Sequence, residues 1–229
     1  MTWNGLLLVL PPAARRTPIT AIGVVSPPGD RVLLAVASGR AVQLWERVHG
    51  GRLRRRRGSM RHPGPVRALA HLGPGLLAAA GGEVVHLWDT DRRRRLAHLT
   101  TGGDGPVRAL ATLPAADGTA VLAAAQGDRV WLWDDPRRGY AAGPRPIERG
   151  RAVHALAVVR SAPDTTVLAV GDDVSLALWD PRTGTLIRDL PLGVPVRSLA
   201  VAGGALYVGS TAGIVAIDLA TLLGPATGA

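Results

Sequence analysis

Cysteine, phenylalanine and lysine are absent from the 229 residues, and asparagine occurs once, at Asn4. Without cysteine there is no disulfide framework, no thiol nucleophile and no zinc ribbon, and the expected location is cytoplasmic. A leader or a membrane span is not expected either: residues 1–10 hold an apolar run, but no basic segment precedes it and Pro11-Pro12 ends it. Catalytic signatures are missing in the same way. There is no GxxxxGK[ST] phosphate loop, no GxSxG elbow and no HExxH pair. Gly209-Ser210-Thr211-Ala212-Gly213 has the wrong order for a nucleophile elbow and reads as a hairpin turn. The six histidines are scattered, with no two at the i, i+4 spacing of helical metal sites. His86 shares a strand and a face with Trp88, so it reads as a packed, hydrogen-bonded core residue. Asp172-Asp173 falls in a strand-to-strand turn, where Asp accepts backbone hydrogen bonds, and a cation would need more converging oxygens. No enzymatic activity, cofactor or metal is expected.

What is present is a repeat. Leu44-Trp45-Glu46, Leu87-Trp88-Asp89, Leu132-Trp133-Asp134, Leu178-Trp179-Asp180 and Ala216-Ile217-Asp218 recur at steps of 43, 45, 46 and 38 residues. That period belongs to propellers rather than to helical solenoids. Each copy opens with a second phrase: Ile19-Thr20-Ala21-Ile22, Val66-Arg67-Ala68-Leu69, Val107-Arg108-Ala109-Leu110, Val153-His154-Ala155-Leu156 and Val196-Arg197-Ser198-Leu199. Between the two lies a short apolar run, at 32–37, 76–80, 121–125, 167–170 and 206–208, and a more polar run comes after each Trp-Asp, as at 185–190. Runs this short, bounded by Gly, Asp or Pro, are strands, and four of them per unit make a blade. The units span about 17–60, 61–101, 102–149, 150–192 and 193–218, with a tail at 219–229, all within one domain, 1–229.

The five registered copies, covering about residues 5–218, resemble the WD40 repeat family. The resemblance implies an all-β, WD40-like β-propeller of four-stranded blades, and five blades closed by the N-terminal strand are expected. Residues 5–11 are similar to 184–191, an outer strand, so 1–10 is expected to complete the last blade, whose own tail makes a poor strand. The alternative is the C-terminal part of a longer, seven-bladed propeller. The family's Gly-His pair survives only as His62, with Arg61 in place of the Gly, while Arg15, Gly103, Arg149 and Leu192 stand at the equivalent sites. The expectation is therefore of blades held mainly by apolar packing, with less help from buried polar networks.

The formal net charge is +10, which points to an acidic partner or to nucleic acid. Dominance of Ala, Arg, Gly, Leu, Pro and Val fits a gene of high GC content, so part of the basicity is compositional. Arginine runs stand at Arg52 with 54–57, at 92–95 and at Arg137-Arg138, each just after a Trp-Glu or Trp-Asp. Charges there protect a sheet edge from pairing, and that reading takes precedence over a nucleic-acid contact. Four tryptophans hold the core position and Trp131 shares a strand with Trp133, which leaves no platform for stacking bases.

The function expected is a non-catalytic scaffold or sensor that binds a protein or peptide on one rim. In bacteria, domains similar to this one are often attached to, or work beside, a signalling enzyme such as an NTPase, kinase or protease. An electrostatic nucleic-acid binder using the Arg runs is the alternative, and no membrane association is expected. In the WD40 pattern the residue after the strand-opening Val lies near the rim of the central channel, where family members contact partners. Here that position reads Thr20, Arg67, Arg108, His154 and Arg197, and the strand-opening residue before it mostly follows a proline (Pro18, Pro65, Pro106 and Pro195, with Ala152 as the exception). Each proline fixes the approach of the chain. Gathered cations repel one another unless an anion meets them, so the sharper reading is an acidic peptide partner; the plainer one is that these arginines only reach solvent.

Overall fold

The middle strands carry the fold, because they are buried on both faces. Ala78, Ala79 and Ala80 in one repeat and Ala123, Ala124 and Ala125 in another are completely buried. Alanine favours helix intrinsically. Here the small side chains let neighbouring sheets approach, and the hairpin signals on either side override local preference. A computed structural model describes residues 18–26, 32–48, 53–114, 119–134, 145–162 and 165–223. The chain divides into two compact units, Met1–His98 and Leu99–Ala229, and each is taken by itself.

In the first unit, one sheet contains β1 (Ile19–Val25), β2 (Leu33–Ser38) and β3 (Ala41–Arg47), and its outer strand comes in two pieces, β4 (Leu53–Arg55) and β5 (Met60–Arg61). The next sheet runs β6 (Ala68–Gly73), β7 (Leu76–Gly81), β8 (Val84–Asp89) and β9 (Arg94–Thr100), with the unit boundary inside β9. The second unit holds β10 (Val107–Pro114), β11 (Ala120–Gln126), β12 (Arg129–Asp134) and β13 (Arg145–Glu148) in one sheet. A second sheet is built from β14 (Ala155–Ala162), β15 (Thr165–Gly171), β16 (Ser175–Asp180) and β17 (Thr185–Pro191). The last sheet has β18 (Val196–Ala202), β19 (Ala205–Ser210) and β20 (Gly213–Asp218), succeeded by the short helix α1 (Leu219–Leu223). Among the described residues the paired strands are antiparallel neighbours in sequence, apart from β5, which rejoins β3 beyond β4. Five successive meanders of this kind are the blades of a five-bladed β-propeller.

The cores lie between successive sheets. In the first unit Leu33, Leu44, Met60, Leu77 and Trp88 pack together; in the second, Leu132, Leu168 and Trp179 form one such layer, and Leu176, Leu206 and Leu222 another. A fully buried Leu such as Leu77 or Leu168 contributes about 2 kcal/mol. Trp88 and Trp179 of the Trp-Asp phrases belong to these layers, and the indole N–H groups of Trp45, Trp88 and Trp179 are buried without a partner among the described residues. Apolar packing is thus what fixes these tryptophans.

The tail, expected to make a poor strand, begins with a helical turn: Leu219–Leu223 forms α1, with Leu222 buried against the last core layer. Among the described residues β20 has no strand on its outer edge, and Ile214 is 79% exposed. The closing strand expected at 1–10 lies outside the described residues, as do Arg15, Arg52 and Arg137-Arg138. No helix among the described residues is long and apolar enough to cross a membrane.

Candidate functional site

The residue after each strand-opening Val occupies a constrained place. Antiparallel pairing runs Ile19 to Ser38 and then Ala21 to Ala37, so Thr20 is left over. Arg108 is left over between Val107 and Ala109, and Arg197 between Val196 and Ser198. Arg67 and His154 stand one residue before β6 and β14, donating their amides to Ala80 and Gly171. These irregular steps let consecutive residues depart from strict alternation: the Val side chains of 66, 107, 153 and 196 are wholly buried while the arginines beside them are exposed.

Backbone bonds fix the chain on its way in. In the first unit Val66 N donates to Gly39 O and His62 N to Arg40 O, each at 2.8 Å. The second unit repeats the pattern: Val153 N reaches Gly127 O and Arg149 N reaches Asp128 O, while Val196 N reaches Asp172 O and Leu192 N reaches Val174 O. Each connection is therefore pinned on the turn between the second and third strands of the preceding sheet. That turn lies at the same end as the leftover residues, because the second strand runs antiparallel to the first.

Within each unit the candidate residues come together in part. In the first, the Thr20 hydroxyl donates to Val66 O, which sets it beside Arg67. In the second, β14 packs between β10 and β18, so His154 stands between the strands that carry Arg108 and Arg197. Thr20 and His154 are engaged: His154 Nε2 lies 2.6 Å from Asp173 Oδ1. Arg67, Arg108 and Arg197 are exposed, with no hydrogen-bond or ion-pair partner for their guanidinium groups among the described residues. Asp173 is the participant that sequence reasoning treated only as a turn former. Its signal was the hairpin register, which puts that turn at the end where the innermost strand begins. Asp128 shares this end, with Arg129 at 3.9 Å, so the surface alternates in sign.

Behind this end lies a set of polar clusters that differ from repeat to repeat. His62 is buried, accepting from Gly64 N through Nδ1 at 3.3 Å and approaching Ala79 O through Nε2 at 3.2 Å; a proton on Nε2 satisfies both. His86 meets His62 edge-on at 4.3 Å. Its packing matches expectation, but its Nδ1 has no partner among the described residues. Burial, assisted by His62 and Arg95, pushes the His86 imidazole down to about 4. At Gly103 the side chain is replaced by Gln126, which accepts from Thr101 and donates to Gly105 O.

Less help from buried polar networks is expected where the His is missing, yet Arg149 builds one at its site. Its guanidinium, 8% exposed, contacts Asp172 at 2.7 Å, the Ser175 hydroxyl, and both oxygens of Asp189 at 2.9 and 3.0 Å. Arginine reaches farther than histidine and can bridge two carboxylates, so it substitutes for the shorter residue when acids stand on both sides. Burial opposes ionisation of Asp172, yet the amides of Val174 and Ser175, the Ser175 hydroxyl and Arg149 outweigh it and hold the carboxyl below its ordinary value. With its oxygens so taken, Asp172 acts as a clasp for the turn that carries Asp173.

No protein-family model matches the chain, and no curated protein matches it. Solved structures do. The computationally designed Ika4 protein superposes with a TM-score of 0.53 at 19% identity, over 69% of this chain and 93% of that one. A chain of a mitotic checkpoint complex gives 0.63 at 18% identity, over 88% of this chain and 64% of that one. The designed Ika8 protein gives 0.58 at 17% identity, over 90% and 72%. At these identities the likeness concerns the fold alone.

Proposed function

We propose that the chain is a non-catalytic binding module of the WD40 type, a bacterial cytoplasmic scaffold or sensor that takes an acidic segment of a protein partner at the bulge end of its innermost strands. The observation that carries this reading is in the second unit: Arg108 and Arg197 are exposed and unpaired on irregular steps whose buried valines fix where they emerge. Holding such cations pre-positioned lowers the ordering cost on binding. A carboxylate on the partner gains a bidentate arginine contact. The turn carboxylates Asp128 and Asp173 repel a misaligned acidic chain, which gives register as well as attraction. Arg67 offers the same local arrangement in the first unit. The Trp-Asp phrases at a propeller period support the WD40 assignment, and association with a signalling enzyme is the setting in which such a module would serve.

The test uses a fluorescein-labelled peptide rich in Glu and carrying one Trp, titrated by anisotropy against the full chain. R108S/R197S is expected to weaken binding by at least about tenfold with an unchanged thermal melt, since each charge-assisted contact is worth about 1.5–3 kcal/mol. Equal affinity in the folded double variant contradicts the proposal.

A further inference from the structure

The two long arginine runs, far apart in sequence, meet in the first unit. The Arg93 guanidinium lies against Gly58, so close that a Cβ on Gly58 would stand 2.8 Å from Arg93 Nη1. Gly58 comes immediately after the run at 54–57, and Arg93 lies within the run at 92–95. Of these arginines, Arg54 is paired with Glu46 and Arg92 with Asp89. Arg55 to Arg57, Arg61 and Arg93 to Arg95 have no side-chain hydrogen bond or ion pair among the described residues.

Edge protection does not account for this. The outer strands of the second unit have the same structural role and carry both signs: Arg145 and Glu148 on β13, Arg188 and Asp189 on β17. Arg145 is bonded to Asp134, and Arg129 pairs with Glu148. A compositional bias towards arginine would act on all outer strands alike. The outer strands of the first unit, β4, β5 and β9, contain arginine and no acid. Backbone geometry adds a second observation. Arg93 has φ 52°, in the left-handed region, at the position where the fourth repeat has Gly184 with φ 70°. A non-glycine residue held there costs about 1 kcal/mol or more, and such strain tends to persist where the side chain is in use.

We infer that this convergent arginine face of the first unit, formed by the runs at 54–57 and 92–95, binds the phosphodiester backbone of a nucleic acid. Guanidinium groups pair bidentately with phosphate oxygens. The choice of a nucleic acid over an acidic protein rests on what the face lacks: a packed protein interface needs an apolar centre. Leu96, 48% exposed, is the large exposed apolar side chain on β9, and β4 and β5 have none. No Trp, Tyr or Phe stands on β4, β5 or β9, where exposed His98 is the one aromatic ring, and arginines outnumber it, which points to contact with the backbone more than to stacking on bases.

The experiment measures anisotropy of a labelled random-sequence duplex DNA and of a single-stranded RNA of equal length, across about 50–200 mM salt. It is made in the R108S/R197S background, so that this surface and the bulge end fail independently. Each phosphate contact contributes about 0.9 to the slope of log K against log salt. R55S/R57S/R94S/R95S is therefore expected to lower that slope by about 3 to 4 and to abolish measurable binding at the upper salt. R93G, which relieves the backbone, is expected to melt no lower than its parent and still to lose about 0.9 of slope. Binding to either nucleic acid supports the inference, and the tighter one names the source of the phosphates. It is overturned if the folded fourfold variant keeps its affinity and slope. It is equally overturned if polyglutamate or phosphatidylglycerol vesicles, at equal anionic charge, displace the nucleic acid completely.

Discussion

Arg149 shows how one residue can carry a junction between sheets. It is almost wholly buried and faces Asp172, which is entirely so. Removing the cation leaves a buried carboxylate without its counter-charge, which costs more than the pair contributes. Arg149→Met is therefore expected to lose about 3 kcal/mol in urea unfolding, and Arg188→Met on the exposed strand β17 to lose almost nothing. His86 makes a prediction of a different kind. Its folded-state value is about 4, against 6.5 ordinarily, so between those limits the unfolded chain holds a proton that the native chain does not. Stability is full above about pH 6.5 and falls as the pH drops towards 4, by up to about 1.4 kcal/mol per pH unit. His62, also lowered by burial, adds in the same direction. Urea midpoints from about pH 7.5 to 4.5 should fall less in His86→Leu than in the wild type; parallel curves would contradict the assignment.

At the scale of elements, aspartate opens two different structures, and the residues C-terminal to it decide which. Asp89 Oδ1 accepts from the amides of Asp91 and Arg92, and Asp180 Oδ1 from that of Arg182, opening the turn into an outer strand. Asp218 Oδ1 accepts from Thr221 N in the same manner but begins α1. Four residues after the aspartate, Arg93 and Gly184 take positive φ and reverse the chain, whereas the last repeat has Leu222, which is buried in a helical turn. The Trp-Asp spacing therefore announced the inner strands, and their middles agree with the apolar runs within a residue or two. The fate of the tail depended on a missing left-handed residue, which the repeat phrase does not contain. The Arg149 cluster was hidden for a similar reason: its acids come from a turn and from an outer strand, 23 and 40 residues away. Gly171 marks where the incoming chain crosses the second strand most closely, since an added Cβ would sit 2.3 Å from Val196 Cγ1. Gly171→Ala must displace Val196, which starts β18, and should cost about 1–3 kcal/mol in thermal or urea unfolding.

For the whole molecule, the sequence-level reading of the fold and the observed blades coincide because both rest on the same period and the same burial pattern. Function is less legible. The bulge residues were found because the repeat aligns them, but sequence could not distinguish an arginine that is paired from one that is free. In the second unit the distinction falls between Arg145 and Arg149, which are bonded, and Arg108 and Arg197, which are not. The central claim is that a partner's acidic segment is read at the start of the innermost strands. Hydrogen exchange with and without the Glu-rich peptide tests this most directly, since a segment bound over the starts of these strands slows the local opening through which their amides exchange. The expected result is new protection at 107–109, 153–155 and 196–198, with β13 and β17 unchanged. Protection confined to those outer strands, or none at saturating peptide, would contradict it.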